Sequence, residues 1–419
     1  MTETKLPPVP TDDRAAVTAW VAEHLGHLSC DDPQPSPAFV GGQVAADRAL
    51  ADLDVEGYAR SRSMVDPPEQ RGASKMSPYI RHGLLPLPEV WDATNDAPSY
   101  DRFRYQGELL WQEYARHWYA NYGSATARPI AYEPVRPEEA WDREPWPDEM
   151  RCVAETLAEL HTDGWCVNQT RMWLASQYSY RAGGDTFAGE QYLFQHLLDG
   201  SRAANRLGWQ WVAGTSRPRV YGFARRQVRK RAPRYCEECE LAASCPISGY
   251  PKGRSRSQVD RPPLRSPATA YGPETTQSAS GEPTVVWLTA ESLGLRDPAL
   301  QSHPDLPVVF VFDEPLLARL RLSGKRLIFL AETLSDVAAV RSLDIHLGRP
   351  AIALASTTAA VTFAPVPGFG RLATQLDLEQ HPWPWLRPPT ADLLDYLAEN
   401  RRVPSFRDFC QLTKPEPKS

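Results

Sequence analysis

The chain has 419 residues, 42% of them hydrophobic, which allows two or three domains with sizeable cores. A formal net charge of -6 excludes a uniformly basic, nucleic-acid-coating protein, so any DNA site must be a local patch. Apolar runs stay well short of the roughly 20 residues of a membrane span, and the N-terminus lacks the apolar core of a signal peptide. The expected setting is therefore the cytoplasm, where seven cysteines point to free thiols or metal rather than disulfides.

In chain order, Asp12-Asp13 predicts the cap of a helix with Ala15, Val17, Trp20, Val21 and Leu25 on one side. Gly41-Gly42 precedes a second helix, Val44 to Leu53, that runs toward Tyr58. In Ser74-Lys75-Met76-Ser77-Pro78-Tyr79, Ser77 reads as an N-cap and Pro78 as the first helical residue. Such a helix start can receive a phosphate on its free N–H groups, or it is an ordinary capped helix. Glu108, Trp111 and Gln112 share one helical face at i, i+3 and i+4, although Trp111 alone also suits a core. Arg151 to Leu160 predicts a helix leading into Gly164.

The stretch 164–211 carries the most information. Read as helix, Trp165, Asn168, Arg171 and Met172 share a face that is too polar for a plain core and too apolar for solvent. It is either a ligand wall or a buried helix pair with a satisfied Arg–Asp bridge. Two helices divided at Gly183-Gly184 lead to a second run, Asp199-Gly200-Ser201 through Asn205 to Trp209-Gln210-Trp211. Next come Arg217, Arg219, Arg225, Arg226, Arg229, Lys230, Arg231 and Arg234, either a solvated face or a phosphate track. Cys236, Cys239 and Cys245-Pro246 suit an iron–sulfur cluster or zinc, with a fourth ligand to come from Cys30, Cys152, Cys166 or Cys410.

Residues 251–283, rich in Pro, Ser, Gly, Thr and Arg, read as a flexible linker between a helical part, 1–250, and a second part, 284–419. In the second part, Thr284–Leu288, Pro307–Asp313, Ile345–Leu347 and Val361–Phe363 read as buried strands. Leu316–Leu322 and Arg326–Leu343 read as helices between them. The expected fold class is thus an all-helical domain followed by an α/β domain with a doubly wound, Rossmann-like parallel sheet. The Gly-x-Gly-x-x-Gly fingerprint of a dinucleotide site is missing from it.

Gly164-Trp165-x-x-Asn168-x-x-Arg171-Met172 and Asp199-Gly200 through Ala204-Asn205 to Trp209-Gln210-Trp211 resemble the flavin-binding helical domain of the photolyase/cryptochrome family. The resemblance implies an FAD pocket lined by Tyr58, Ser74, Lys75, Met76, Ser77, Tyr105, Glu108, Gln112, Trp165, Asn168, Arg171, Asp199, Gly200 and Asn205. The start of the Ser77 helix would meet the diphosphate, Arg171 and Asp199 the isoalloxazine, and Asn205 flavin N5. It further implies that Glu108, Asn168 and Met172 contact the lesion while Trp111 and Trp211 stack on flipped bases. Trp209 would be the relay residue nearest the flavin. Thr186 stands where the next relay tryptophan is expected, leaving Trp173, Tyr178 and Tyr180 as candidate substitutes. Gln112 and Ser201 depart from the family's Arg and Asp.

In the iron–sulfur branch of the family, the resemblance places Cys152 with Cys236, Cys239 and Cys245 around a [4Fe–4S] cluster. The parallel-sheet part is similar to the family's antenna domain, whose chromophore here stays unassigned. It comes last rather than first, so the order looks circularly permuted, with Pro404–Phe409 leading back toward residues 1–10. The activity implied is that of a deoxyribodipyrimidine photolyase, a lyase splitting cyclobutane dimers in UV-damaged DNA. Val167-Asn168 replaces the His pair of the (6-4) branch; a (6-4) photolyase and a cryptochrome-like blue-light receptor are the alternatives. A monomer without a membrane or an obligate protein partner is expected.

Overall fold

A computed structural model describes residues 3–11, 13–135, 137, 141–250, 253 and 257–414. Residues 1–2 of the N-terminal segment, Asp12 of the first cap and residues 251–252 and 254–256 of the expected linker lie outside the described residues.

The helical half is organised by the helix Ser99–Tyr122, whose C-terminal half is buried almost without a break from Glu113 to Tyr122. Asp101 in its first turn accepts from the amides of Gly57 and Ala59, at 3.1 and 2.8 Å, and so sets the chain around Tyr58. The helix Arg151–Asp163 ends at Gly164 with φ +68°, where a side chain would be strained and its Cβ would meet Leu198 Cγ at 2.8 Å. The next helix is Asn168–Ala175, so Trp165 precedes it rather than sharing its face as expected. The extended Val167 at its cap, ψ 140°, breaks the run, because a helical register cannot pass through an extended residue. Thr186–His196 and Arg202–Ala213 follow, the latter capped by Ser201. The short helix Ser77–Arg81 starts at Ser77 itself, with Met76 in the cap position and no side-chain cap bond.

The second half is a six-stranded sheet ordered β1-β4-β3-β2-β5-β6. Its strands are β1 Thr4–Lys5, β2 Val285–Leu288, β3 Val308–Asp313, β4 Leu343–Gly348, β5 Ala359–Thr362 and β6 Leu378–His381. All neighbours are parallel except β1 on β4. β1 and β6 were not legible: one is two residues long, and the other, Leu378-Glu379-Gln380-His381, is too polar to look buried. The helix Gly324–Val340 packs on Arg14–Leu25, and Arg14 Nε reaches Glu332 Oε1 at 2.6 Å. The first residues therefore belong to the sheet as much as to the helical half. One core joins the halves, with Trp165, Phe194 and Leu198 packed in the same cluster as Phe310, Leu327 and Phe329.

From Ser257 onward, the stretch expected to be a linker is built into this body. Val259 N bonds Ala131 O at 3.1 Å, and Arg265 N bonds Asn121 O at 2.8 Å. The helix Pro267–Tyr271 buries Ala270 and Tyr271, and the Tyr271 hydroxyl takes the Asn121 amide at 2.8 Å. Two anchoring side chains and a few backbone bonds outweigh the flexible composition. Among the described residues no helix is long and apolar enough to cross a membrane.

Candidate flavin wall and cysteine site

Arg171 and Asp199 form a two-pronged pair, Nη1–Oδ1 3.0 Å and Nη2–Oδ2 2.9 Å. The Arg171 Nε donates to Cys166 O at 2.9 Å, so all of its charge is aimed. Burial alone would lower the Arg171 pKa, but the Asp199 carboxylate outweighs it and holds the guanidinium charged. The Arg171 guanidinium lies 5.9 Å from the Trp165 ring centroid, so the two meet although they are not on one helix. Trp165 Nε1 donates to Ser77 Oγ at 3.0 Å, which engages the hydroxyl expected at a diphosphate. Lys75, in left-handed backbone at φ +58°, holds its ammonium 5.9 Å from Trp165 and 6.0 Å from Phe39.

Ser74 Oγ and Tyr105 OH lie 3.1 Å apart, and the Tyr58 ring meets Tyr105 edge-on at 4.9 Å. Burial pushes the Tyr105 phenol up to about 12 and the Tyr58 phenol higher, with Glu108 adding to the latter. Glu108 is paired with Arg62, a partner that no motif marked. Asn205 is buried, and its Nδ2 has no protein partner. Its helix packs on Asn168–Ala175 as well as on Ser99–Tyr122 and Thr186–His196. Asn168 is exposed at the first turn, and Met172 and Gln112 are half-buried. Gly200 acts through its backbone: its carbonyl accepts from Arg81 Nε at 2.8 Å and Arg326 Nη2 at 2.6 Å.

The stacking tryptophans differ. Trp111 is 40% exposed, but one face lies flat on Phe406, at 3.7 Å and 10°. Its expected free face is therefore halved, by a C-terminal segment no local pattern ties to it. Trp211 is half-buried against Tyr221 at 4.8 Å, with the Arg217 guanidinium 3.8 Å from its ring. Trp209 is buried and meets Tyr178 at 6.0 Å, and Tyr178 meets Trp146 at 4.7 Å. Gly189 makes room for this chain of rings, since a Cβ there would lie 2.4 Å from Trp209 and 2.8 Å from Tyr178. Trp173 instead stacks on Phe223 at 5.9 Å.

Cys152, Cys236, Cys239 and Cys245 line one cavity of about 340 Å³, measured to its open mouth. All are free thiols. Burial raises the Cys152 thiol pKa, and the other three sulfurs raise it further. Among the described residues, the groups whose ligand atoms lie mutually within 4.8 Å do not include these thiols. A single zinc with Zn–S of about 2.3 Å would need them closer than that. Of the basic run, Arg219, Arg226, Arg229 and Lys230 are exposed. Arg234 Nε is engaged by Asp66 at 2.7 Å, and Arg231 Nη1 by Ser63 O at 3.3 Å.

Residues 105–232 match the family model described as the FAD binding domain of DNA photolyase. That segment of the chain is thus similar to the FAD binding domain of DNA photolyase. The matched segment contains Trp165, Arg171, Asp199 and Asn205; Tyr58 and Ser74 to Ser77 precede it, and Cys236, Cys239 and Cys245 follow it. A deoxyribodipyrimidine photo-lyase of Synechococcus sp. is 28% identical over 205 residues, 44% of this chain and 39% of that one. One of Thermus thermophilus is 30% identical over 190 residues, 43% of this chain and 44% of that one. The chain thus spans less than half the length of these relatives. A solved Synechocystis cryptochrome aligns at 21% identity and TM-score 0.42, over 50% of this chain and 47% of that one.

The donor chemistry of the matched segment would suit a flavin: a fixed ion pair and a buried amide nitrogen without a protein partner.

Proposed function

We propose that the chain is a light-dependent photolyase that splits cyclobutane pyrimidine dimers in UV-damaged DNA. The observation that carries this reading is the Arg171–Asp199 fork together with the unpartnered Asn205 Nδ2, both within the segment that matches the FAD binding domain. Reduced FAD, when bound, supplies the electron that light transfers to the dimer. The chain's own groups have separate tasks. Arg171 and Asp199 hold a fixed charge pair at the ring system, and Asn205 donates at its edge. Ser74, Lys75 and Ser77 hold the diphosphate. Tyr58, Met76, Tyr105, Gln112 and Trp165 wall the pocket and exclude water, with Gly200 keeping the Asp199 turn in place.

Trp111 and Trp211 offer ring faces to bases turned out of the duplex, Glu108 and Asn168 offer hydrogen bonds, and Met172 offers apolar contact. The exposed Arg219, Arg226, Arg229 and Lys230 follow phosphates. Trp209 is the inner end of an electron path through Tyr178. Cys152, Cys236, Cys239 and Cys245 hold a [4Fe–4S] cluster that pins the end of the helical half. The sheet half is the antenna-like domain, placed last by circular permutation. Packing of Phe406 on Trp111 and pairing of Thr4–Lys5 with β4 support that order, since each terminal segment docks on the half remote from it in sequence. A cytoplasmic monomer suits these features.

The deciding experiment illuminates the purified protein, with its flavin fully reduced, in the presence of an oligonucleotide containing one thymine dimer. Loss of the dimer is expected, and its persistence would overturn the reading. A blue-light receptor is the second reading, favoured by the cover that Phe406 places on Trp111. Flavin photoreduction without repair would select it.

A further inference from the structure

Far along the chain from the flavin wall, three side chains of the sheet half converge where its edge strand ends. His303 follows the helix Pro298–Ser302. Glu379 and His381 lie two apart on β6 and so project from the same face. His303 Nε2 lies 2.6 Å from Glu379 Oε1, and His381 Nε2 lies 2.8 Å from that same oxygen. The three ligand atoms all fall within 4.8 Å of one another. The two rings cross at 85° with centroids 5.8 Å apart, so each presents its nitrogen from a different direction. Side-chain exposures of 22% for His303, 17% for Glu379 and 6% for His381 leave one open approach.

We propose that His303, Glu379 and His381 form a binding site for one divalent transition-metal ion of the zinc class, with an open fourth position. Two imidazoles and a carboxylate are a donor set that zinc accepts, at about 2.0–2.2 Å per bond. A small opening of the present contacts admits the ion, because both nitrogens already converge on the carboxylate oxygen. The surroundings hold the ligands in place. His381 Nδ1 lies 3.3 Å from Thr276 Oγ1 and 3.4 Å from Ser302 Oγ. A hydroxyl can donate or accept, so His381 can free Nε2 for an ion and keep a partner at Nδ1. The His303 carbonyl accepts from Arg341 Nη2 at 2.6 Å, which fixes its loop. Burial would raise the Glu379 carboxyl pKa, but the bonds from both histidines outweigh it and hold the group below the usual range.

The ion would act as a staple. Gln277 and Gln380 exchange backbone bonds of 2.9 and 2.8 Å, and Ser280 N donates to Asp377 at 2.9 Å. The segment that crosses from the helical half is thus tied to β6 beside the site. An ion there joins that segment's neighbour strand to the end of the Pro298–Ser302 helix.

The test is a competition titration of the full chain with Zn²⁺ against a chromophoric chelator, with Glu379→Gln and His303→Ala as variants. Wild type should take up one equivalent more than either variant, or hold it at least about 10-fold more tightly, since even an outer-shell partner is worth that much. Metal carried by the cysteine site should not change between them. Co²⁺ titration of the unmodified chain gives a readout independent of the variants' folding. An imidazole–carboxylate site gives weak visible bands without the near-ultraviolet sulfur band of a thiolate site. Equal zinc uptake and affinity in all three proteins, or cobalt bands of thiolate type alone, would overturn the proposal. Either result leaves the photolyase reading untouched, because repair is measured separately.

Discussion

In the helical half, Asn205, Trp173 and Gln177 keep buried polar atoms without protein partners. In the sheet half, buried Asp297 is met by Ser292 and by the Leu300 amide at 2.9 Å, and Glu379 by two histidines. The sheet half keeps such atoms too, at Thr289, Arg326 and Trp383, so the contrast lies in the amide groups that the helical half leaves unpartnered at Asn205 and Gln177. Arginines and one histidine join the two halves. Arg81 clasps Glu291 with two bonds of 2.8 Å, and Arg326 reaches Gly200 O and Phe194 O. Burial pushes Arg326 down to about 9, with Arg81 adding to the shift, so the joint carries crowded positive charge.

The contrast is most easily broken at Asp199. Asp199→Ala leaves Arg171 buried without its counter-charge, an expected cost of roughly 3–5 kcal/mol. Denaturation should show the loss, and the flavin absorbance of the purified variant should fall with it. Wild-type stability together with full flavin would remove the pair from the wall.

Gly200→Ala tests the joint directly. Its Cβ would meet Arg326 Nη1 at 2.4 Å and the Phe194 carbonyl at 2.7 Å. A loss of roughly 1–3 kcal/mol is expected, read as a lower Tm.

His82 sharpens the comparison through pH. Its ring is fully buried between Ala290 O and Leu198 O, each at 3.0 Å, one carbonyl from each half. Burial, then Arg81 and Arg326, holds its pKa well below 6.5. The folded chain keeps it neutral while the unfolded chain protonates it, so its contribution is full above about pH 6.5 and is lost as pH falls below that. Between pH 7 and 5 the Tm of His82→Gln should therefore fall less steeply than that of wild type. Parallel slopes would count against His82 as the sensor.

The smallest effect expected is at the cap of Arg202–Ala213. Ser201 Oγ accepts from Ala204 N at a long 3.5 Å, so Ser201→Ala should cost only about 0.5 kcal/mol. Flavin content should stay at the wild-type level.

Local chemistry accounts for what could be read in advance. The β-branched runs around Val286 and Val309 made strands, Gly164 closed its helix, and Arg171 with Asp199 met as their motifs implied. Such features depend on neighbours a few residues apart, or on residue patterns specific enough to carry a geometry. Trp165 lost its helical face because Val167 leaves the helical region, at ψ 140°. Arg62 against Glu108, Phe406 on Trp111, Tyr178 between Trp209 and Trp146, and Tyr271 anchoring a Pro- and Ser-rich stretch were settled only in three dimensions. Each depends on which distant surfaces share a core. A one-dimensional pattern leaves that pairing open, since burial energy depends on what is covered and hardly at all on how far along the chain it lies.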